Sequence, residues 1–246
     1  MSFESKVVIV TGASSGIGEA AAVAFAQEKA DVVIVGRNEE RLKKVAELCE
    51  AKGKAPLVIK ADVTNDTDAK RIITETIEKY NKLDILVNNA GVLLDATLED
   101  GDMVSTFDET IKTNVRSVVN LTMLATPYLK ASKGNVLNVS SVAGTQLVSY
   151  KYTAYCMSKA AINHFTRGAA LELGRYGVRV NAISPGPVKT RLFDTSTVID
   201  ELELKTVLNR WSNSEEIADT IMYLVSDKAK GVTGSNFVVD NGFSLL

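Results

Sequence analysis

The sequence predicts a doubly wound α/β fold, a single domain over residues 1–246 built on one parallel sheet of about seven strands with helices on both faces. Three observations carry this prediction. Short Val- and Ile-rich runs alternate with longer helical patterns along the chain, those runs are apolar throughout, and the first leads straight into a glycine-rich turn. Strands that are apolar on both faces and separated by helices belong in a buried parallel sheet joined by right-handed crossovers. A chain of 246 residues, 46% hydrophobic and 24% charged, is large enough to bury one such core.

The elements follow in order. Lys6 to Thr11, Asp31 to Gly36, Leu57 to Lys60 and Leu83 to Asn88 are short and rich in β-branched residues, the signature of strands. Between them, Ile17 to Lys29, Glu39 to Lys52 and Asp66 to Tyr80 repeat apolar residues at helical spacing with charges between. The second half continues with a long helix, Phe107 to Lys130, a strand, Asn135 to Val139, and a second long helix, Tyr155 to Tyr176. A strand, Arg179 to Ile183, a late helix, Ser214 to Val225, and a last strand, Asn236 to Val239, complete the alternation. Lys189 to Asn213 shows no clear pattern and is read as a substrate flap, with a pair of surface helices as the plainer alternative.

Composition excludes several function classes. A net charge of −2 gives no broad positive field for nucleic acid or an anionic membrane surface, so a small-molecule partner is expected. The first residues, MSFESKVVIVTG, lack a secretory pattern, and no apolar run reaches the roughly 18 residues of a membrane span, so a cytoplasmic location is expected. Cys49 and Cys156 lie far apart and form no ligand pattern with His164, so no metal is expected.

The turn after the first strand reads Thr11-Gly12-Ala13-Ser14-Ser15-Gly16-Ile17-Gly18. Gly12 suits a tight turn, Gly16 lets backbone approach a pyrophosphate, and Gly18 lets the helix pack close to the strand. The helix start then offers unpaired N–H groups and a partial positive charge to phosphates. Glycine-rich turns also occur where nothing binds, but this one lies between a predicted strand and a predicted helix, which favours a dinucleotide. An acidic residue at the tip of the second strand would accept bonds from the ribose 2′-hydroxyl of NAD. The tip here reads Gly36-Arg37-Asn38, so Arg37 is read as a partner for the 2′-phosphate of NADP(H).

Tyr155 and Lys159 stand four residues apart near the start of a helical pattern and so share one face. A nearby ammonium and the positive ring of oxidised nicotinamide favour phenolate, making Tyr155 an acid/base whose pKa is expected to fall toward neutrality. Ser140 and Ser141 end a predicted strand, where open parallel sheets place ligand-binding residues, and a hydroxyl there can donate to a developing alkoxide. Tyr150 and Tyr152 are nearby, but neither has a lysine four residues later.

Together, Thr11-Gly12-x-x-x-Gly16-x-Gly18, Asn88-Asn89-Ala90-Gly91, Ser141, Tyr155-x-x-x-Lys159 and Pro185-Gly186 resemble the short-chain dehydrogenase/reductase family over nearly the whole chain. The resemblance implies that Tyr155 protonates the substrate oxygen and that Ser141, rather than Ser140, polarises the carbonyl. It further implies that Lys159 holds the nicotinamide ribose while lowering the tyrosine pKa, and that Asn114 supports a water relay behind it. For NADP(H), Ser14, Ser15, Gly16, Ile17 and Gly18 in the turn and Arg37 and Asn38 at the tip of the second strand are expected to bind the cofactor, and the resemblance adds further contacts. Asp62 and Val63 fall beside the adenine, and Asn89, Ala90 and Gly91 along the ribose. Pro185, Gly186, Val188 and Thr190 fall around the nicotinamide. It also implies a homotetramer formed through the two long helices and the last strand. The segment Leu208 to Glu216 departs from the family by lacking its usual glycine and proline.

The expected activity is hydride transfer between nicotinamide and a carbonyl or secondary alcohol. The alternatives are a 3-oxoacyl-thioester reductase of fatty-acid synthesis and a non-catalytic NADP(H) sensor. The four intact residues, Asn114, Ser141, Tyr155 and Lys159, favour a catalyst. Substrate choice lies in variable loops that the motifs do not describe.

Overall fold

A computed structural model describes residues 2–193 and 205–246. Seven strands form one sheet: β1 (Val7–Thr11), β2 (Asp31–Gly36), β3 (Leu57–Lys60), β4 (Ile85–Asn88), β5 (Asn135–Val139), β6 (Arg179–Pro185) and β7 (Asn236–Val239). Their order is β3-β2-β1-β4-β5-β6-β7, and every pairing is parallel. The order reverses between β1 and β4, so the connections leaving those strands diverge and open a crevice at their C-terminal ends.

The helices are α1 (Gly16–Gln27), α2 (Glu39–Lys52), α3 (Asp66–Tyr80), α4 (Met103–Ile111), α5 (Ser117–Ser132), α6 (Thr153–Leu173) and α7 (Ser214–Val225). Strand residues alternate between two cores, as a pleated sheet buried on both sides requires. Val8, Val10 and Ile34 pack with Phe25, Leu42 and Ile217 from α1, α2 and α7. Ile9, Val33 and Val35 pack with Ile72, Leu121 and Leu173 from α3, α5 and α6 on the other face.

Helix starts follow local chemistry. Asn38 and Asn65 cap α2 and α3 by accepting backbone N–H groups, and Glu216 accepts the Asn213 N–H at 2.8 Å at the start of α7. The expected long helix from Phe107 to Lys130 requires correction. It is divided into α4 and α5 by a π turn at Lys112–Arg116. The extra residue widens the backbone and shifts the register of the residues after it, and such turns recur at functional sites.

Among the described residues, no helix is long and apolar enough to cross a membrane, and no cluster of His, Cys, Asp or Glu is arranged to hold a metal. The proposed flap at 189–213 lies partly outside the described residues. Arg191–Phe193 forms a single helical turn, and Val188 pairs with Ser212 in an isolated parallel bridge.

Candidate active site

The crevice is a cavity of about 600 Å³ running along the C-terminal edge of the sheet. At its centre, β1 and β4 are locked together by Thr11 and Asn89. The Thr11 hydroxyl accepts the N–H groups of Asn89 and Ala90 at 3.0 and 3.1 Å, while Asn89 Nδ2 donates to the Thr11 carbonyl at 2.9 Å. Gly12 adopts φ +65°, and a Cβ there would lie 2.8 Å from Ala90 Cα, so this turn needs glycine for both conformation and clearance. Ser15 is extended and α1 begins at Gly16, directing the helix start into the cavity. Gly18 lies beneath the turn, where a side chain would collide with the Gly12 carbonyl.

At the tip of β2, Arg37, Asn38 and Arg41 line the cavity. Asn38 also has a structural task, because its Oδ1 accepts the Arg41 N–H at 2.9 Å. Glu39, the first carboxylate after the tip, accepts from Lys60 Nζ at 2.9 Å, and that bond holds its pKa below the usual range. Asp62 Oδ1 is similarly engaged, accepting from the backbone N–H and hydroxyl of Thr64 at 2.9 and 2.8 Å.

Ser141, Tyr155 and Lys159 meet beyond the ends of β4 and β5. Tyr155 is the third residue of α6, so Lys159 follows one turn later on the same face. Lys159 Nζ donates to the Val139 carbonyl at 2.9 Å and lies 5.5 Å from the centre of the Tyr155 ring. Ser141 hydrogen-bonds the Tyr155 phenol and, through its own oxygen, accepts the Ala143 N–H at 3.1 Å. Ser140 also lines the cavity, but its hydroxyl donates to the Lys159 carbonyl at 3.2 Å rather than to Tyr155.

The expected fall in the tyrosine pKa is not found in the protein alone. Burial pushes Tyr155 up to about 12, opposed by the Ser141 bond. Burial also draws Lys159 down to about 8. Both shifts have one cause: a low-dielectric site disfavours phenolate and ammonium alike, and desolvation outweighs any attraction between groups held this far apart.

Asn114 sits in the π turn and is buried. Its Oδ1 accepts the Val92 N–H at 2.8 Å, and its Nδ2 donates to the Val92 carbonyl at 2.9 Å and Ser158 Oγ at 3.1 Å. The side chain therefore clamps the segment after β4. A Cβ on Gly91 would lie 3.2 Å from Asn114 Oδ1 and 3.8 Å from Lys159 Nζ, so glycine keeps these groups close.

Pro185 ends β6, and Gly186, Val188 and Thr190 follow it; all four line the cavity. A Cβ on Gly186 would lie 2.6 Å from Asp240 Cβ, so the turn packs directly on the C-terminal segment. Thr190 covers the Gly16 turn, with its Cγ2 3.1 Å from where a Gly16 side chain would begin.

The cavity brings together every site residue expected from sequence except Gly18 and Asn114, which support its wall from behind. Sequence reasoning missed Arg41, a helix-surface position, and Leu93, Val148, Tyr152, Leu192 and Phe243, which lie outside any recognised motif. Asn88 serves the sheet: its Nδ2 donates to Asn138 Oδ1 at 2.9 Å and Thr122 Oγ1 at 3.2 Å.

Residues 12–244 match the family model described as enoyl-(acyl carrier protein) reductase. The chain is 36% identical to a 3-oxoacyl-[acyl-carrier-protein] reductase of Thermotoga maritima, covering 98% of this chain and 99% of the relative. It is 34% identical to the meso-2,3-butanediol dehydrogenase of Serratia marcescens, over 98% of this chain and 96% of that one. Among solved structures, a short-chain dehydrogenase from Burkholderia cenocepacia in complex with NADP superposes with a TM-score of 0.92. That pair is 28% identical, and the match covers 99% of this chain and 100% of the other. With the cleft, the glycine turn and the Ser141, Tyr155 and Lys159 arrangement on one scaffold, this chain belongs to the short-chain dehydrogenase/reductase family of oxidoreductases.

Proposed function

We propose that the chain is an NADP(H)-dependent reductase of a carbonyl compound, or dehydrogenase of the corresponding secondary alcohol, with Tyr155 as general acid/base. The observation that carries this reading is the meeting of Ser141, Tyr155 and Lys159 at the open end of the central strands. A bound nicotinamide supplies or accepts the hydride. The chain's own groups do the rest. A phenol pushed up to about 12 is protonated at neutral pH, the form required to donate to a substrate oxygen. The Ser141 hydroxyl donates to the same oxygen as negative charge develops on it.

Lys159 is proposed to hold the ribose and favour phenolate when the proton has left. Asn114 acts as a positioning residue, because its side chain is fully engaged with Val92 and Ser158. The cradle of Gly12, Ser14, Ser15, Gly16 and Ile17 fits a pyrophosphate, with Gly18 setting the helix close beneath it. Asp62 and Val63 suit the adenine, Asn89, Ala90 and Gly91 the ribose, and Pro185, Gly186, Val188 and Thr190 the nicotinamide.

Preference for NADP(H) over NAD(H) is supported by Arg37 and Arg41 at the β2 tip and by Lys60 neutralising Glu39 there. A homotetramer is proposed on the exposed apolar side chains of the two long helices, Met123 on α5 and Met157 and Leu171 on α6. The chain is proposed to act as one domain in the cytoplasm.

NADPH oxidation against a panel of carbonyl compounds tests this reading, with Tyr155→Phe as control. Turnover that disappears in the variant supports it, while equal rates in both proteins contradict it. Reduction of a 3-oxoacyl thioester is the second reading, favoured by the Thermotoga maritima relative. Including an acetoacetyl thioester in the same panel decides between them.

A further inference from the structure

We infer that the substrate is a neutral carbonyl compound, or its alcohol, with an extended hydrocarbon body. This inference rests on the proposed hydride-transfer reading and names the substrate class of the same site. It comes from what surrounds Tyr155. The tyrosine belongs to a separate apolar cluster with Leu93, Ala143, Tyr152 and Cys156, against which Val148 and Leu192 pack. Except for Cys156, all of these also line the cavity. Ser141 and the phenol are thus a polar pair set into a hydrocarbon wall.

The segments that supply this wall also carry exposed apolar side chains. The Ala96 N–H donates to the Lys151 carbonyl at 3.0 Å, tying the segment after β4 to the segment before α6. These joined segments carry three large apolar side chains in water: Leu98 is 85% exposed, Leu147 73% and Tyr150 70%. Leu147 adjoins the lining residue Val148, and Tyr150 is two residues from the lining residue Tyr152. An apolar lining around a catalytic hydroxyl, on segments that also present exposed apolar side chains, marks a place where a ligand is covered. Hydroxyls of a polyhydroxylated carbonyl compound that lie against Leu93, Ala143, Val148 and Leu192 would find no partner there, a costly arrangement. A hydrocarbon body instead gains from every carbon it removes from water.

The test is a homologous series of methyl ketones from butanone to decanone, with erythrulose and an acetoacetyl thioester as polar comparators, assayed by NADPH oxidation. Specificity, kcat/KM, is expected to rise roughly three- to fourfold per added methylene until the wall is filled, the factor that burial of one CH₂ confers. Val148→Asn is expected to flatten that rise while leaving the dissociation constant for NADPH unchanged, which shows that the fold is intact. Leu147→Ser, at an exposed position, is expected to lower the chain length at which the rise stops. A flat or falling series, or erythrulose or the thioester exceeding decanone, overturns the substrate class and leaves the hydride-transfer reading standing. Turnover of none of these compounds overturns both.

Discussion

Lys159 Nζ donates to the carbonyl of Val139 at 2.9 Å, anchoring the helical lysine to the end of β5. The bond fixes the amine but supplies no negative charge, so burial still lowers the Lys159 pKa to about 8. Ammonium is therefore present below pH 8 and disappears as the pH rises through that value. If charged Lys159 supports catalysis, carbonyl reduction by the wild-type protein should fall along a single-proton limb with a midpoint near 8. A rate profile flat from pH 7 to 9, with cofactor saturating, would show that the lysine charge is irrelevant.

The same depressed pKa affects stability. An unfolded lysine retains its proton to higher pH, so between about 8 and 10.5 the unfolded chain binds more protons than the folded one at this site. Stability from this site therefore increases with pH across that interval. Lys159→Met should abolish most turnover yet unfold at the same or a higher temperature, because a buried charge is replaced by an apolar chain. A large fall in unfolding temperature would contradict this account of the site.

The proposed preference for NADP(H) assigns Arg37 to the 2′-phosphate. A charge-assisted bond to a phosphate is worth roughly 1.5 to 3 kcal/mol net, or about a ten- to hundredfold preference. Arg37→Asp should reduce kcat/KM with NADPH by about that factor and raise it with NADH. The ratio of the two, measured with one substrate, reports the effect. Arg41→Ala should produce a smaller change in the same direction, since Arg41 lines the same end of the cavity. An unchanged ratio in the Arg37 variant removes that residue from cofactor selection.

Gly18 tests the cradle without touching its ligand. A methyl group there meets the Gly12 carbonyl, forcing the first turn of α1 away from β1. Gly18→Ala should lower stability by about 1 to 3 kcal/mol, the usual cost of overpacking, and weaken NADPH binding in parallel. Thermal unfolding and fluorescence titration measure the two effects. Loss of neither would mean that the close approach of helix and strand is dispensable.

Much of this arrangement is legible in the sequence, for identifiable reasons. The bounds of β2, α2, α3 and α7 follow from β-branched runs and helical periodicity, and the structure places capping asparagines, Asn38, Asn65 and Asn213, at the helix starts. The π turn around Asn114 is hidden because it spans only five residues inside a helical run, and no residue type marks it. The raised Tyr155 pKa is hidden for another reason: desolvation depends on Leu93, Tyr152 and Ala143, brought from separate segments by the fold. Phe243 reaches the cavity only because the C-terminal segment packs on Gly186, a contact between residues far apart in the chain.

The most direct measurement is single-turnover reduction by Tyr155→Phe under saturating NADPH. Removing one hydroxyl should slow the reaction by about 10² to 10⁴, the usual contribution of a positioned proton donor, with NADPH affinity preserved. A variant that binds cofactor normally and still reduces substrate within tenfold of the wild-type rate would contradict the account.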